Sequence, residues 1–445
     1  MFDNQRIAIL GRGMEWQSTY RFLQKEGIPD SSIAIFDQRA DKDFPAWVTT
    51  FTGPGYLTHL QDYDVIMRSP GITDVLLQNE LQDTALWEII APRLTNQTQL
   101  FLDRFQGTVI GITGTKGKST ISMLTYLLLQ AAGKNVVLAW NVGQPVLEQI
   151  DFASPPDYVV YELSSFMLAG LKRAKIHIGI WNTIYPTHLA EHGSRQEYVL
   201  AKARLFSFAD SLLLWSQVEE VLQEQFPELL QNRETQVITY GDSGSFTYVD
   251  GQFLHDNQLL AVWETVRLVG AHNRYNVCAL YGVAHILGIT TDLVQKVTQE
   301  FVDLPDRIEF IGNICGIDRY NDAIATTPQA TQAALAALGD RVATLFVGGI
   351  LWEYDFSGLA ETISHSTIEH LICFPDSGPL IAQLVKKPGL QIYTTASMRD
   401  AVKFAASHTP IWKIALLSCG SPSFSLWKSY KEKAAQFKEA VASLA

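Results

Sequence analysis

One stretch limits this chain more than any other. Thr108-Val-Ile-Gly111, a short apolar run of strand type, passes into Gly114-Thr-Lys-Gly-Lys-Ser-Thr120 and then into the apolar, helix-forming run from Ile121 to Ala132. A glycine-rich loop between a strand and a helix lets successive backbone N–H groups surround phosphate oxygens, with Lys118 supplying a point charge and Ser119 a hydroxyl for magnesium. Strict P-loop spacing calls for glycine where Ile112 stands, so this is a variant loop anchored by Gly114 and Gly117. A plain strand–helix turn would account for neither the lysine nor the second glycine.

The rest of the chain repeats the alternation of strand and helix. A length of 445 residues suggests roughly three domains, and the sequence divides into α/β segments at 1–106, 107–303 and 304–445. The first opens with strand Arg6–Leu10, a Gly11-Arg-Gly13 turn and a helix through Tyr20 and Leu23; further strands at 32–36 and 64–67 suit a parallel sheet. Trp16 occupies the third glycine position of G-x-G-x-x-G, where close helix–strand packing wants no side chain, so a dinucleotide is doubtful. Either a structural turn or a diphosphate near the helix N-terminus remains. In the final segment, strands Ala343–Val347 and Ile414–Leu417 end in small-residue turns that leave room for a ligand, and the charged helix from Trp427 to Ala442 is predicted to show a solvated face.

Composition narrows the function. The net charge of −12 opposes binding to a nucleic-acid backbone. Four dispersed cysteines, Cys278, Cys315, Cys373 and Cys419, form no metal knuckle and no disulfide framework, which fits a reducing compartment. The N-terminus lacks signal-peptide regions, and no apolar run of about 18 residues occurs, so no membrane association and a cytoplasmic location are expected. No interface motif is evident, and the chain is taken as a monomer.

Within the middle segment, Asp157-Tyr-Val-Val-Tyr-Glu162 is a buried-type strand ending in an acid. Glu162 is either a magnesium ligand or the cap of the next helix, and the neighbouring loop favours the ligand. His188, in a proline-containing loop after strand Ile176–Trp181, is either a ligand or a packed or surface imidazole. By itself, Lys202 reads as a solvated helix lysine.

Taken in order, Gly114–Thr120, Glu162-Leu-Ser-Ser-Phe166, Asn182-Thr-Ile-Tyr-Pro-Thr-His-Leu189, Gly270-Ala-His-Asn-Arg-Tyr-Asn276 and Leu304-Pro-Asp-Arg-Ile-Glu309 resemble the Mur ligases of bacterial cell-wall synthesis over almost the whole chain, and most of all their glutamate-adding members. The resemblance implies a Rossmann-like first domain that binds a UDP substrate, a central P-loop ATPase-like parallel sheet that binds ATP, and a Rossmann-like C-terminal domain that binds an amino acid. It implies an ATP-dependent ligase that joins glutamate to UDP-N-acetylmuramoyl-L-alanine through an acyl phosphate in peptidoglycan precursor synthesis. By the same likeness Lys118, Lys202 and His188 are catalytic. Gly114, Thr115, Lys116, Gly117, Lys118, Ser119, Thr120, Asn273, Asn276, Arg307 and Asp322 bind ATP. Asp37, Arg39, Ser69, Gly71 and Asn141 line the UDP site, and Ser423 and Tyr430 face the amino acid. Ser119 and Glu162 hold one Mg2+ ion and His188 a second, with Lys202 the position that becomes carbamylated.

The acceptor end departs from that pattern. Ala323-Ile324 follow Asn321-Asp322, Ile350-Leu-Trp352-Glu353 follow the Gly-Gly turn, and no cation stands near Pro375-Asp376. Glutamate brings two carboxylates that need compensation. D-glutamate, L-glutamate and another acceptor amino acid therefore stay open, as do a folylpolyglutamate synthase type of ligase and a non-catalytic nucleotide-binding protein.

Overall fold

Parallel strands buried on both faces are built from nearly continuous apolar runs, and this chain supplies such runs to three sheets. The computed structural model describes all residues except 1, 3, 12–14, 39–46, 141–144, 232–234, 269, 271, 302–303, 352–353 and 445, and the side chains of 190 and 329 are outside the described set. The chain divides into two compact units, one of Met1–Arg267 with Ala271–Phe301, the other of Leu268–Gly270 with Val302–Ala445.

In the first unit, β1 (Ile7–Leu10), β2 (Ile33–Asp37), β3 (Thr49–Thr52), β4 (Val65–Arg68) and β5 (Leu94–Thr95) form a parallel sheet in the order β3-β2-β1-β4-β5. The direction of winding reverses between β1 and β4, and the crevice at the carboxyl ends of such a pair is where open α/β sheets bind ligands. A small cavity sits there, lined by Ile9, Glu15, Trp16, Thr19, Met67, Arg68, Ser69 and Gln97. Trp16, at the third glycine position, starts the helix Trp16–Lys25 and is 7% exposed.

The second sheet of this unit follows with β6 (Thr108–Thr113), β7 (Val136–Ala139), β8 (Tyr158–Glu162), β9 (Ile176–Trp181), β10 (Ala209–Trp215), β11 (Gln236–Gly241), β12 (Phe246–Val249), β13 (Gln252–His255) and β14 (Gln258–Val262). Its order is β14-β13-β12-β11-β10-β9-β6-β8-β7, parallel from β7 to β12 and antiparallel through the β12-β13-β14 meander. Strand β6 lies between β8 and β9, and its register sets Ile112 beside Glu162 and Thr113 beside Trp181. Three strand ends are thereby level, and the loops that leave them meet.

The second unit holds β15 (Glu309–Ile314), β16 (Ile317–Asn321), β17 (Val342–Gly348), β18 (His370–Phe374), β19 (Gln391–Thr394) and β20 (Ile414–Leu417) in the order β15-β16-β20-β17-β18-β19, with β15 the antiparallel edge. Side chains alternate faces along a strand. Phe346 of β17 accordingly packs with Phe374, Trp427 and Phe437, while Leu345 and Val347 pack on the other side with Leu359 and Ile381.

The terminal helix corrects one expectation in part. It runs from Tyr430 to Ala442 and has a solvated face that includes Lys431 and Glu439, but Lys433, with Ala434, Phe437, Ala440 and Val441, lies on a buried face. Lys438 is tied to Asp306 at 3.1 Å and Glu309 at 2.8 Å. The spacing of Phe437 and Val441 with intervening alanines builds a packing stripe, and the lysines between them obscured it in the sequence. All four cysteines are free, and only Cys315 is exposed.

Candidate active site

Gly117, at φ +80°, caps the helix Lys118–Ala131 without offering a side chain. The first N–H groups of a helix have no internal partner, so this end is open to an anion. The loop before it is shaped by its neighbours. Lys116 N–H donates to Thr183 Oγ1 at 2.6 Å, and Thr115 N–H donates to the Thr183 carbonyl at 2.9 Å. Asn182 Nδ2 donates to the Lys116 carbonyl at 3.0 Å and to Asn276 Oδ1 at 3.3 Å, and Tyr240 Oη donates to Asn182 Oδ1 at 2.8 Å. Asn276 Nδ2 completes the chain by donating to Asn273 Oδ1 at 2.7 Å. A Cβ on Gly117 would lie 2.1 Å from Asn182 Nδ2 and 2.9 Å from Asn276 Oδ1, so both the positive φ and the close amides require glycine.

Two lysines converge on this loop. Lys118 Nζ donates to the Gly114 carbonyl at 3.0 Å. Lys202 Nζ, on the helix Arg195–Ala203, donates to Thr113 Oγ1 at 3.1 Å and to the same carbonyl at 3.3 Å. Lys202 is 2% exposed rather than solvated. Burial, with the Lys118 charge as a second cause, pushes its amine well below the ordinary lysine range, while Glu162 acts in the opposite direction.

The two roles considered for Glu162 are now separable. The helix Ser165–Ala169 is capped by Ser164, whose hydroxyl accepts from Met167 N–H, so Glu162 is not that cap. Its carboxylate is 6% exposed at the end of β8. His188 is half-exposed, in the left-handed region at φ +54°, 3.7 Å from the Glu191 carboxylate and edge-on to Phe166. His192, which the sequence offered no reason to single out, is buried, and burial pulls its imidazole down to about 4.

No group of three or more His, Cys, Asp or Glu side chains able to hold a metal exists among the described residues. The candidate donors are instead the Ser119 hydroxyl, the buried Glu162 carboxylate and the His188 imidazole, with the Glu191 carboxylate 3.7 Å from that ring. Magnesium commonly keeps several waters and takes one or two carboxylates plus substrate phosphates, so this sparse set fits it.

In the donor-side sheet Asp37 is buried at the end of β2, Ser69 Oγ donates to the Gly11 carbonyl at 3.0 Å, and Gly71 faces open space. Arg39 and Asn141 lie outside the described residues. In the second unit Asp322 is buried, accepting from Ser418 Oγ at 2.7 Å and from Ile308 N–H at 3.3 Å. Burial lifts its carboxyl to about 7, although Ser418 and the Arg307 charge oppose the rise. Ser423 is buried and Tyr430 opens the terminal helix. The acceptor-end residues Ala323 and Leu351 are described, Ala323 buried and Leu351 exposed, whereas Trp352 and Glu353 are not.

Comparison with known proteins places this geometry. Residues 112–284, from β6 through the asparagines behind the loop, match the Mur ligase middle domain. The chain is 28% identical over its full length, and over 98% of the relative, to the UDP-N-acetylmuramoylalanine–D-glutamate ligase of Streptococcus agalactiae. Residues 112–284 are thus a Mur ligase middle domain, in a chain similar along its whole length to these ligases. Its fold is shared with the UDP-N-acetylmuramate-alanine ligase of Thermotoga maritima, at a TM-score of 0.60 and 16% identity over 99% of this chain and 100% of that one. It is likewise shared with the MurF ligase of Thermotoga maritima, solved with ADP, at a TM-score of 0.57 and 14% identity over 99% and 95%. The residues of the family's middle domain that motif reading missed are Asn182, Thr183, Tyr198 and Tyr240. The first two stand inside a quoted motif, but only the fold shows that they wall the loop.

Proposed function

We propose that this protein is an ATP-dependent acid–amino-acid ligase that adds D-glutamate to UDP-N-acetylmuramoyl-L-alanine in peptidoglycan precursor synthesis. The observation that carries the reading is the meeting of a helix N-terminus capped by glycine alone, Lys118, Glu162 and the buried Lys202 at level strand ends, in a chain coextensive with D-glutamate ligases. A carboxylate becomes an acylating agent only once one oxygen is made a good leaving group. The alanyl carboxylate oxygen attacks the γ-phosphorus, the bond to the β-phosphate bridge oxygen breaks, and ADP leaves. The acceptor amine then attacks the acyl carbon, phosphate departs and the amine gives up a proton.

Lys118 and the N-terminal N–H groups of its helix favour the phosphate charge in place. In this proposal Asn273 and Asn276 belong to the ATP site, Asp37, Arg39, Ser69, Gly71 and Asn141 to the UDP site, and Arg307 and Asp322 are ATP-binding residues by the family likeness alone. Ser119 and Glu162 would hold one Mg2+ ion, and His188 and Lys202 a second; bound there, the ions would screen the approach of two anions. The depressed Lys202 amine suits carbamylation, in which neutral nitrogen adds to CO2 and releases a proton, turning a buried base into an anionic ligand. The same proposal includes the division at 1–106, 107–303 and 304–445, a cytoplasmic location and a monomeric chain. Among the described residues no helix is long and apolar enough to cross a membrane.

A second acceptor is favoured by one feature, the uncharged Ala323-Ile324 and exposed Leu351 at positions where an acidic amino acid would want cations. Phosphate release from ATP with Mg2+ and UDP-N-acetylmuramoyl-L-alanine, compared between D-glutamate, L-glutamate and other amino acids, decides between them. D-glutamate-dependent release is expected. Release with another amino acid keeps the ligase and moves the acceptor, and no release with any of them overturns the activity.

A further inference from the structure

His192 takes no part in the reading above, yet it is 6% exposed and placed against three of the segments that carry it. Its ring lies flat on Phe166, with centroids 4.7 Å apart and planes 3° from parallel, and its Nε2 is 2.9 Å from Ser165 Oγ. Ser165 and Phe166 begin the helix that follows Glu162. His192 itself closes the one-turn helix that His188 opens, with its N–H donating to the His188 carbonyl at 3.1 Å. A third edge meets Tyr198 at 5.5 Å, on the helix of Lys202, and Tyr198 Oη is 2.7 Å from Thr115 Oγ1 in the phosphate loop. Behind it the loop is stopped by Val75, whose Cγ2 would lie 2.9 Å from a Cβ on Gly193.

We propose that His192 is a positioning residue: by stacking on Phe166 and bonding Ser165 it fixes the His188 loop against the end of β8, so that a divalent cation meets donors already in place. A side chain that only filled space would serve as well in the form of phenylalanine; the Ser165 bond is what distinguishes the two roles. Partners one layer outside a metal set orient its ligands and typically change metal affinity by about 10- to 100-fold. The inference rests on His188 and Glu162 as cation ligands.

The test is Mn2+ binding followed by electron paramagnetic resonance with a non-hydrolysable ATP analogue, alongside analogue affinity without metal. His192→Phe and Ser165→Ala are each expected to weaken Mn2+ binding about tenfold, with analogue affinity within about twofold of the parent. The double variant should be no weaker than either single one, because both remove the same bond, and His192→Gln, which can bond Ser165 again, should recover most of the loss. Ser165→Ala is small enough to keep the fold, and a thermal unfolding midpoint confirms it. If His188→Ala weakens Mn2+ binding while neither His192→Phe nor Ser165→Ala does, the positioning role is wrong and the ligand reading stands. If His188→Ala also has no effect, the ligand reading falls and the positioning role with it. Equal losses with and without metal would make His192 a packing residue of the loop and overturn the proposal.

Discussion

Glu15 stands just before the helix Trp16–Lys25, in the cavity between β1 and β4 with Trp16, Arg68 and Gln97. Burial alone raises its carboxyl to about 7 from an ordinary value near 4.5. In the unfolded chain the group ionises at the lower value, so between these two values the folded protein holds more proton than the unfolded one, and stability falls as pH rises from about 4.5 to 7. Glu15→Gln removes that cost. We predict that it raises the urea midpoint at pH 8, by a stability of order 1–3 kcal/mol, and leaves it unchanged at pH 4.5; a larger gain at the lower pH would contradict the assignment. Single residues were unevenly legible in the sequence. Lys118 and Ser119 announced themselves through glycine spacing, because a phosphate loop needs those residue types in that order. Lys202 did not, since a lysine on a helix has the same letter whether it faces water or is 2% exposed beside a loop carbonyl. Only the family resemblance singled it out.

At the level of elements, the apolar runs of β1, β2, β6, β8, β9 and β20 could be read to within about two residues, because strands buried on both faces leave little ambiguity in composition. The terminal helix was legible as a helix, but the burial of Lys433 on its packed face was not. The phosphate loop offers the sharpest test of element against residue. Gly117→Ala must place a methyl carbon at 2.1 Å from one amide and 2.9 Å from another at a φ of +80°, whereas at Gly133, φ +71°, a Cβ meets nothing within 4 Å. Both substitutions carry the backbone cost of a left-handed residue, about 1 kcal/mol. We therefore expect Gly133→Ala to bind an ATP analogue like the parent and Gly117→Ala to lose about 100-fold or more, equivalent to roughly 3 kcal/mol, with near-parental unfolding midpoints for both. Isothermal titration gives the affinities, and equal binding by the two variants would show that the asparagine wall yields.

For the molecule as a whole, length and the α/β alternation gave three sheets, but nothing in the sequence indicated that β6 would sit between β8 and β9, or that β20 would insert between β16 and β17. Strand order arises from crossovers whose partners lie far away in the chain. The last sheet carries cores on both of its faces, drawn from residues 317–441. A chain with its own core should fold alone. We predict that residues 304–445 expressed by themselves, with Trp352 and Trp412 replaced by phenylalanine, unfold in one cooperative urea transition, followed by the fluorescence of Trp427, which is 4% exposed in the native packing. A gradual, sloping change would mean that this segment depends on the first unit for its structure.

The collar around Gly117 also bears on what shapes the phosphate site. Because Gly117 is boxed in by amides from β9's exit and from the helix Asn273–Leu287, that position has almost no room to accept a side chain. A change of side-chain length at Asn182, Asn276 or Tyr240 would move the wall instead of the loop. The shape of the phosphate site is therefore held from behind the loop as much as by the loop, and Tyr240, which stands in none of the quoted motifs, is part of what holds it.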